Sequence, residues 1–547
     1  MSNALNGKEN CTKTSGNGGV GRMLKVSRRS LLTAVAGGAV STALPAPFVR
    51  RASAAGRNSL IYGSAQALTG NWDPTSHTQL AQINFEGFVF GYLFRTPMRE
   101  EDPSQIVWEL ATGQKLIDEH TMEYTLRDGV TFHNGASFSA EDVKATFEYS
   151  THPDRPASAL YPGQCEVEVV DRLTARVHTK KFGYPASAFQ FTGALMAIMS
   201  KDDVKNPKGL SQRPNGAGPF KFVKQEGDTS YLVANDKYFR GKPKIENVEF
   251  NYVADATARV LGLMSGNIDL LQRLEPEQYA TVKKNKALHC WEALSTENKY
   301  LHFRCNKPPF DNPLVRQAAA HAIDRSQILA VLDVAGAANN DYISKLKFGY
   351  EDVPGYPEYS PEKCQQLLAK AGFPKGKGLP EIEYLTSTGF YPKTKEYGEV
   401  ITSLMQEQGF NVKLTVMDPA AWEARLYQKA GSVAEGHMID CGWMSGSPEP
   451  DIVLRAMFYS KAGSGGGLIN GIQDKDIDAA LDNERAEGDP AKRKVAVGKA
   501  TEVIAAKVPS LSLFTSVNLN ACRAGLTDLY VYPNGQMDAT RAYYKDA

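Results

Sequence analysis

Glu381-Ile382-Glu383-Tyr384-Leu385 opens the most legible stretch of this sequence. It has strand character and runs into a polar loop at 386–395. Tyr397, Val400, Ile401, Leu404 and Met405 then recur at i, i+3, i+4, i+7 and i+8, the apolar face of a helix that Gly409 stops. Val412, Leu414 and Val416 alternate as in a strand covered on one face. Strand, helix and strand in that order predict a βαβ unit over 381–417, hence a parallel sheet and α/β architecture.

Just upstream, Ser360 as N-cap, Pro361 at the first helical position and Gly372 as terminator predict a helix over 361–371. Asn312 and Pro313 open another, whose apolar face holds Leu314, Val315, Ala318, Ala319, Ala322 and Ile323. The earlier half reads differently. Alternating Met122, Tyr124 and Leu126 suggest a strand, Asp128-Gly129 a turn, and Ser139 with Asp142 a capping box on a helix through Phe147. Strands at 167–169 and 174–177 complete an α+β texture.

The chain has 547 residues, enough for three or four domains and a large core. Lys+Arg 62 against Asp+Glu 61 leaves a formal charge of +1, so no overall field attracts nucleic acid or an anionic membrane. A composition 42% hydrophobic and 22% charged suits a soluble globular fold. Seven cysteines without a C-x-x-C pair offer neither a disulfide scaffold nor a zinc clip. The six after Cys11 (Cys165, Cys290, Cys305, Cys364, Cys441 and Cys522) are expected as free buried thiols.

Residues 1–54 read as an export address. Arg28-Arg29 precedes a small-residue apolar run to Leu44, and Ala52-Ser53-Ala54 supplies a cleavage pattern. The paired arginines resemble a twin-arginine signal, with Leu31 where Phe is usual, and Met23 offers an alternative start. The run is shorter than the roughly 20 residues that span a bilayer, and no cysteine follows it to carry lipid. A periplasmic chain without a membrane anchor is expected. Gly16, Gly18 and Gly21 match a nucleotide-loop spacing, but no strand precedes them.

No H-E-x-x-H, G-x-S-x-G or Walker loop occurs. Neither catalysis, a metal nor a cofactor is therefore expected. His133, in a turn before a capped helix, reads as structural. Arg316 and Arg325, on a helix with Asp324, read as salt-bridge partners.

Laid end to end, these segments resemble the family-five extracytoplasmic solute-binding proteins, which serve importers of peptides, nickel and related ligands. The resemblance is carried by Leu110-Ala111 and Tyr124-Thr-Leu-Arg127-Asp-Gly129-Val-Thr-Phe132-His133-Asn-Gly135, then Phe138 to Lys144. Gly216-Ala-Gly218-Pro219-Phe220, Ser265-Gly266-Asn-Ile-Asp269, Pro308 to Ala318 and Ser360 to Leu368 follow in the family's order. It implies a two-lobed periplasmic-binding-protein clamshell of type II with an extra α+β subdomain. Lobe I is placed at 58–98, 211–300 and 509–547, the subsidiary domain at 99–210, and lobe II at 301–508. The implied partners are a small solute and an ABC permease in the inner membrane, with the protein a monomer.

In peptide-binding relatives a tryptophan loop carries, three residues after the Trp, an Asp for the peptide's ammonium. Here the loop runs Cys441-Gly-Trp443-Met-Ser445-Gly446-Ser447-Pro-Glu449-Pro-Asp451, with glycine at that offset. Glu449 is a constrained substitute, and Asp451 is expected to cap the next helix. No arginine occurs at 386–391, where some relatives hold the carboxylate. These departures point to a neutral or anionic polyhydroxylated ligand, such as a sugar conjugate or opine, and the texture is similar to agrocinopine binders of the family. A conventional dipeptide or oligopeptide binder is the alternative; a periplasmic hydrolase or ligand-sensing receptor on the same scaffold ranks below it. Thr386, Ser387, Ser445, Gly446 and Ser447 would hydrogen-bond the ligand, and Trp443 or Tyr391 would stack on it, core packing being the alternative for Trp443. Trp72 and Tyr92 border the cleft in relatives, though Tyr92 also suits a buried place. Alternation puts Asn298, Tyr300, His302 and Arg304 on one side of a strand between lobes, where His302 or Arg304 would meet a ligand anion or Arg304 would form a hinge salt bridge.

Overall fold

A computed structural model describes residues 58–388, 391–427, 435–460 and 469–545. The expected leader at 1–54 lies outside them. The βαβ stretch folds as its periodicity predicts: Ile382–Ser387 and Val412–Met417 pair in parallel, Ile382 opposite Val412 and Ser387 opposite Met417. Thr394–Glu407 forms the connecting helix, burying Tyr397, Ile401, Leu404 and Met405.

These strands are one end of an eleven-stranded mixed sheet. In spatial order it runs Val412–Met417, Ile382–Ser387, Met438–Trp443, Leu288–Phe303, Ser510–Arg523, Leu270–Leu271, Ser59–Ser64, Asn247–Tyr252, Thr229–Ala234 and Phe220–Glu226, with Gly336–Ala337 added beside Ser510–Arg523. Leu288–Phe303 and Ser510–Arg523 are long enough to serve both lobes. Residues 288–294 pair with 517–523 in one lobe, and 298–302 with 510–515 in the other. The register shifts between Leu294 and Asn298. A boundary at 300 therefore falls inside a single strand.

The two lobes carry separate apolar cores. One gathers Tyr300, Phe303, Val315, Ile382, Tyr397, Ile401, Leu454 and Val497. Leu60, Trp72, Phe85, Phe88, Val248 and Phe250 belong to another. A four-stranded antiparallel sheet stands apart, in the order Ala111–Asp118, Thr121–Leu126, Thr174–His178, Glu166–Asp171. Helix Ala140–Ser150 packs on it through Val143 and Phe147, and the Ser139 N–H donates to the Asp142 carboxylate at 2.8 Å.

Several motif residues prove to be joints. A Cβ on Gly216 would lie 2.0 Å from the Val89 carbonyl oxygen, so only glycine lets the two backbones approach this closely. Gly218 donates its N–H to the same carbonyl at 2.9 Å and accepts from the His133 ring at 3.0 Å. Burial pushes the His133 imidazole down to about 4, so it sits there neutral. Arg316 and Arg325 correct the salt-bridge expectation. Arg316 is buried, and its guanidinium donates to the carbonyls of Phe310, Lys507 and Val508 at 2.8, 2.9 and 3.1 Å. It ties the start of its helix to the end of Pro490–Lys507. Arg325 donates to Asn340 Oδ1 at 2.7 Å and lies 4.8 Å from the Tyr356 ring centroid. All six described cysteines are free thiols.

Candidate functional site

In an open α/β sheet, ligands lie beyond the carboxyl ends of the parallel strands, where loops converge. In both lobes those ends are directed at the middle of the two long strands. One lobe contributes the ends of Ser59–Ser64 and Leu270–Leu271. Its partner contributes Ser387 and Trp443, the last residues of Ile382–Ser387 and Met438–Trp443.

The first wall is rich in amides. Gln272 Oε1 accepts from the Tyr62 hydroxyl and from Asn84 Nδ2, both at 3.3 Å, and its amide nitrogen donates to the Gly535 carbonyl at 3.1 Å. Arg273, held at φ 55°, donates to Asn518 Oδ1 at 3.4 Å and to the Glu297 carboxylate at 2.5 Å. Asn534 Nδ2 reaches Gln536 Oε1 at 3.1 Å and, across the cleft, the Gly446 carbonyl at 3.4 Å.

The opposite wall is the loop after Trp443, and its acceptors are engaged one after another. Lys347, only 1% exposed, donates from Nζ to the carbonyls of Ser445 and Ser447. Between them the Gly446 carbonyl takes the Asn534 amide. The Pro448 carbonyl accepts the Phe348 N–H at 2.8 Å. Glu449 is buried against Arg493 at 2.5 and 3.0 Å, so it is no free substitute for a missing aspartate. Asp451 starts helix Asp451–Phe458, but its carboxylate is paired with Arg455 and Arg485, each at 2.8 Å, rather than with helix N–H groups. Burial opposes ionisation there, yet the two guanidiniums hold Asp451 down at about 2. A side chain at Gly446 would displace its neighbours: a Cβ would lie 2.8 Å from a Leu195 methyl and 3.1 Å from the Asn534 amide nitrogen, the group that reaches the Gly446 carbonyl.

The expected site residues are placed as follows. Ser445, Gly446 and Ser447 form this loop, the Ser445 hydroxyl accepting the Ser447 N–H at 3.4 Å and the Ser447 hydroxyl the Glu449 N–H at 3.2 Å. Trp443 is half-buried against the second lobe's core. Tyr391 lies beside it, bonded through its hydroxyl to the Gly442 N–H and carbonyl at 3.1 and 3.3 Å. Its ring is no open stacking platform, because Lys299 Nζ lies 3.0 Å from the centroid while 3.3 Å from Asp440. Thr386 and Ser387 are buried, and the Ser387 hydroxyl finds no partner among the described residues.

Tyr300 is tied to the strand's neighbours, whereas the buried Asn298 is engaged only through its oxygen, its Nδ2 finding no partner among the described residues. Asn298 Oδ1 accepts from Thr515 at 2.6 Å, and the Tyr300 hydroxyl donates to the Tyr342 carbonyl at 2.6 Å. His302 lies between Ser510 Oγ at 2.7 Å and Cys441 Sγ at 3.2 Å, and burial pushes it down to about 3. Arg304 is fully buried and donates to the carbonyls of Arg425, Leu426 and Ile469, which corrects both the anion and the salt-bridge reading. Trp72 packs 4.6 Å from Phe85 and 4.8 Å from Phe222, and Tyr92 lies buried under the Arg95 guanidinium at 3.7 Å. Both are core residues.

Lys347 and the wall of Gln272, Arg273, Asn518, Asn534 and Gln536 had no place in the sequence reading. The amides at 518, 520, 534 and 536 alternate, a faint signal; Lys345-Leu-Lys347 looks like any solvated pair. A separate groove of about 1360 Å³, lined in part by Arg99, His289, Trp291, Leu346 and Tyr530, contains none of the expected residues.

The profile of bacterial extracellular solute-binding proteins, family 5 Middle, matches residues 105–465. The glutathione-binding protein GsiB of Salmonella paratyphi A is 26% identical over 440 residues, covering 78% of this chain and 83% of its own. Two solved structures share the fold. The ABC transporter substrate binding protein CtaP of Listeria monocytogenes has a TM-score of 0.79 at 21% identity, over 89% of this chain and 99% of its own. AgaA from A. tumefacien R10, in complex with agropinic acid, has a TM-score of 0.71 at 24% identity, over 87% and 96%. Together with the two-lobed sheet and its facing walls, these matches place the chain in family 5 of the bacterial extracellular solute-binding proteins.

Proposed function

We propose that this protein captures a neutral or anionic polyhydroxylated solute, such as a sugar conjugate or opine, in the periplasm and delivers it to an ABC permease. The observation that carries this reading is that the acceptors of the loop at 445–451 are already engaged inside the protein. Its carbonyls at 445, 446, 447 and 448 and its carboxylates at 449 and 451 already accept from Lys347, Asn534, the Phe348 N–H, Arg493, Arg455 and Arg485. A peptide's ammonium buried there without a new acceptor would cost about 3–5 kcal/mol. What the loop still offers is donors: neither the Ser445 nor the Ser447 hydroxyl donates within the described residues, and of the two, Ser445, 4% exposed where Ser447 is fully enclosed, is the one that suits a ligand oxygen. A solute touching both walls makes more contacts when the lobes close, so binding shifts the population towards closure and no bond need change.

Isothermal titration of the purified protein against dipeptides, glutathione and sugar phosphodiesters tests this. Micromolar binding of a sugar phosphodiester, with dipeptides silent, is expected; tight dipeptide binding with no response to the sugars overturns it. The glutathione arm examines a second reading, favoured by the likeness to GsiB.

A further inference from the structure

Arg273 and Glu297 form an ion pair at the level of the cleft, and each keeps one polar atom in reserve. Arg273 follows Leu270–Leu271, at the carboxyl end of a parallel strand of the first lobe, and Glu297 closes the unpaired break in the strand that crosses to the second. The Arg273 guanidinium donates through Nε to Asn518 Oδ1 at 3.4 Å and through Nη2 to Glu297 Oε2 at 2.5 Å. Its Nη1 makes no hydrogen bond among the described residues, and the side chain is 42% exposed. Glu297 lies deeper, and its Oε1 accepts nothing among the described residues. A Cβ on Gly442, the residue before Trp443, would lie 2.2 Å from that oxygen, so the glycine leaves Oε1 its place at the root of the cleft loop. Arg273 itself adopts φ 55°, a left-handed conformation uncommon outside glycine that persists where the surrounding structure imposes it.

The buried Lys299, two residues on, has its own carboxylate in Asp440 at 3.3 Å. The Arg273–Glu297 pair is therefore neutral as a whole and presents an unused donor next to an unused acceptor. Such an edge matches neither an ammonium nor an isolated anion. Two neighbouring hydroxyls fit it, because each hydroxyl both donates and accepts. We propose that the Arg273–Glu297 pair reads a vicinal diol of the solute, Nη1 donating to one hydroxyl oxygen and Glu297 Oε1 accepting from the next. This rests on the functional reading above and extends it from a ligand class to the residues that recognise its hydroxyls. The charge on each partner strengthens both bonds.

Titrations use the methyl phosphodiesters of methyl glucoside and methyl mannoside, their ring monodeoxy analogues and the dipeptide Ala-Leu. They compare the wild type with Arg273→Met, Glu297→Gln and Gly442→Ala, each checked for folding by circular dichroism. In the wild type, removal of either of two adjacent hydroxyls should weaken binding by about tenfold to a hundredfold, the worth of one hydrogen bond to a charged group. Arg273→Met should bring the parent-to-deoxy ratio close to one at the first of these positions. Glu297→Gln should do so at its neighbour, since the amide oxygen stays with Arg273 and a donor takes the place of Oε1. Gly442→Ala, which keeps both charged side chains but displaces Oε1, should reproduce the Glu297→Gln pattern. A pair that only braced the lobes would lower all affinities together and leave the ratios unchanged. Folded variants that keep the wild-type ratio at every position overturn the proposal, while sugar binding and the functional reading stand. Silence of the wild type towards this series overturns it as well, and the functional reading falls with it only if the wider sugar panel is silent too. Ala-Leu bound instead of the sugars, and lost in Glu297→Gln, refutes both, because the carboxylate then holds an ammonium. Should the substitutions unfold the protein, the wild-type ratios decide: losses at non-adjacent hydroxyls, or at none, overturn the assignment.

Discussion

At the scale of single residues, this molecule buries polar side chains where they lock backbone. Arg304 binds three carbonyls and Arg316 four, the kind of satisfaction that makes a buried guanidinium tolerable. His302 is the sharpest case, being fully buried and held between Ser510 and Cys441. Folding lowers its pKa from 6.5 to about 3, so below pH 6.5 the unfolded chain takes up a proton that the native protein refuses. Its contribution is complete above pH 6.5 and is lost as pH falls from there towards 3, at up to about 1.4 kcal/mol per pH unit. Urea unfolding at pH 7, 5 and 4 should therefore show His302→Asn losing stability less steeply than the wild type. Parallel curves would show that the imidazole is protonated in the native state.

Elements are held by local signals that survive inspection in three dimensions. Ser360 caps Pro361–Lys370 by accepting the Lys363 N–H at 3.3 Å, so Ser360→Ala should cost about 1 kcal/mol in thermal or chemical unfolding without altering ligand affinity. The long pair Leu288–Phe303 and Ser510–Arg523 is of another kind. Its register break between Leu294 and Asn298 separates the part belonging to each lobe, and the unpaired residues between them lie at the level of the cleft. Ladder hydrogen bonds on both sides keep the halves rigid, while the interruption concentrates any bending there.

For the whole molecule, the relevant contacts are those that cross between the lobes. Asn534 to Gly446 joins the two cleft walls, and Lys393 pairs with Glu277 at the margin. The second pair has an exposed carboxylate and adds little by itself. Closure must then draw its free energy from the solute. X-ray scattering should show a smaller radius of gyration when the solute that responds in titration is added at saturation; superimposable profiles would mean that capture does not proceed by lobe movement.

The elements and the fold class were written locally. Residues 381–417 announce a parallel βαβ unit through a change of period from strand to helix and back, and capping residues mark helix starts at 313, 361 and 140. The loop after Trp443 could be picked out as well, together with the absence of an acid from position 446. What tertiary structure alone decided is which polar residues face a solute. Arg304, His302, Trp72 and Tyr92 look as functional in the sequence as Ser445 does, and packing turns them into clamps and core. Lys347, almost a hundred residues before the loop whose carbonyls it grips, carries no pattern that distinguishes it from a surface lysine. Periodicity records which face of an element is covered; the donor that meets a given carbonyl depends on contacts made across the chain, and those exist only once it has folded.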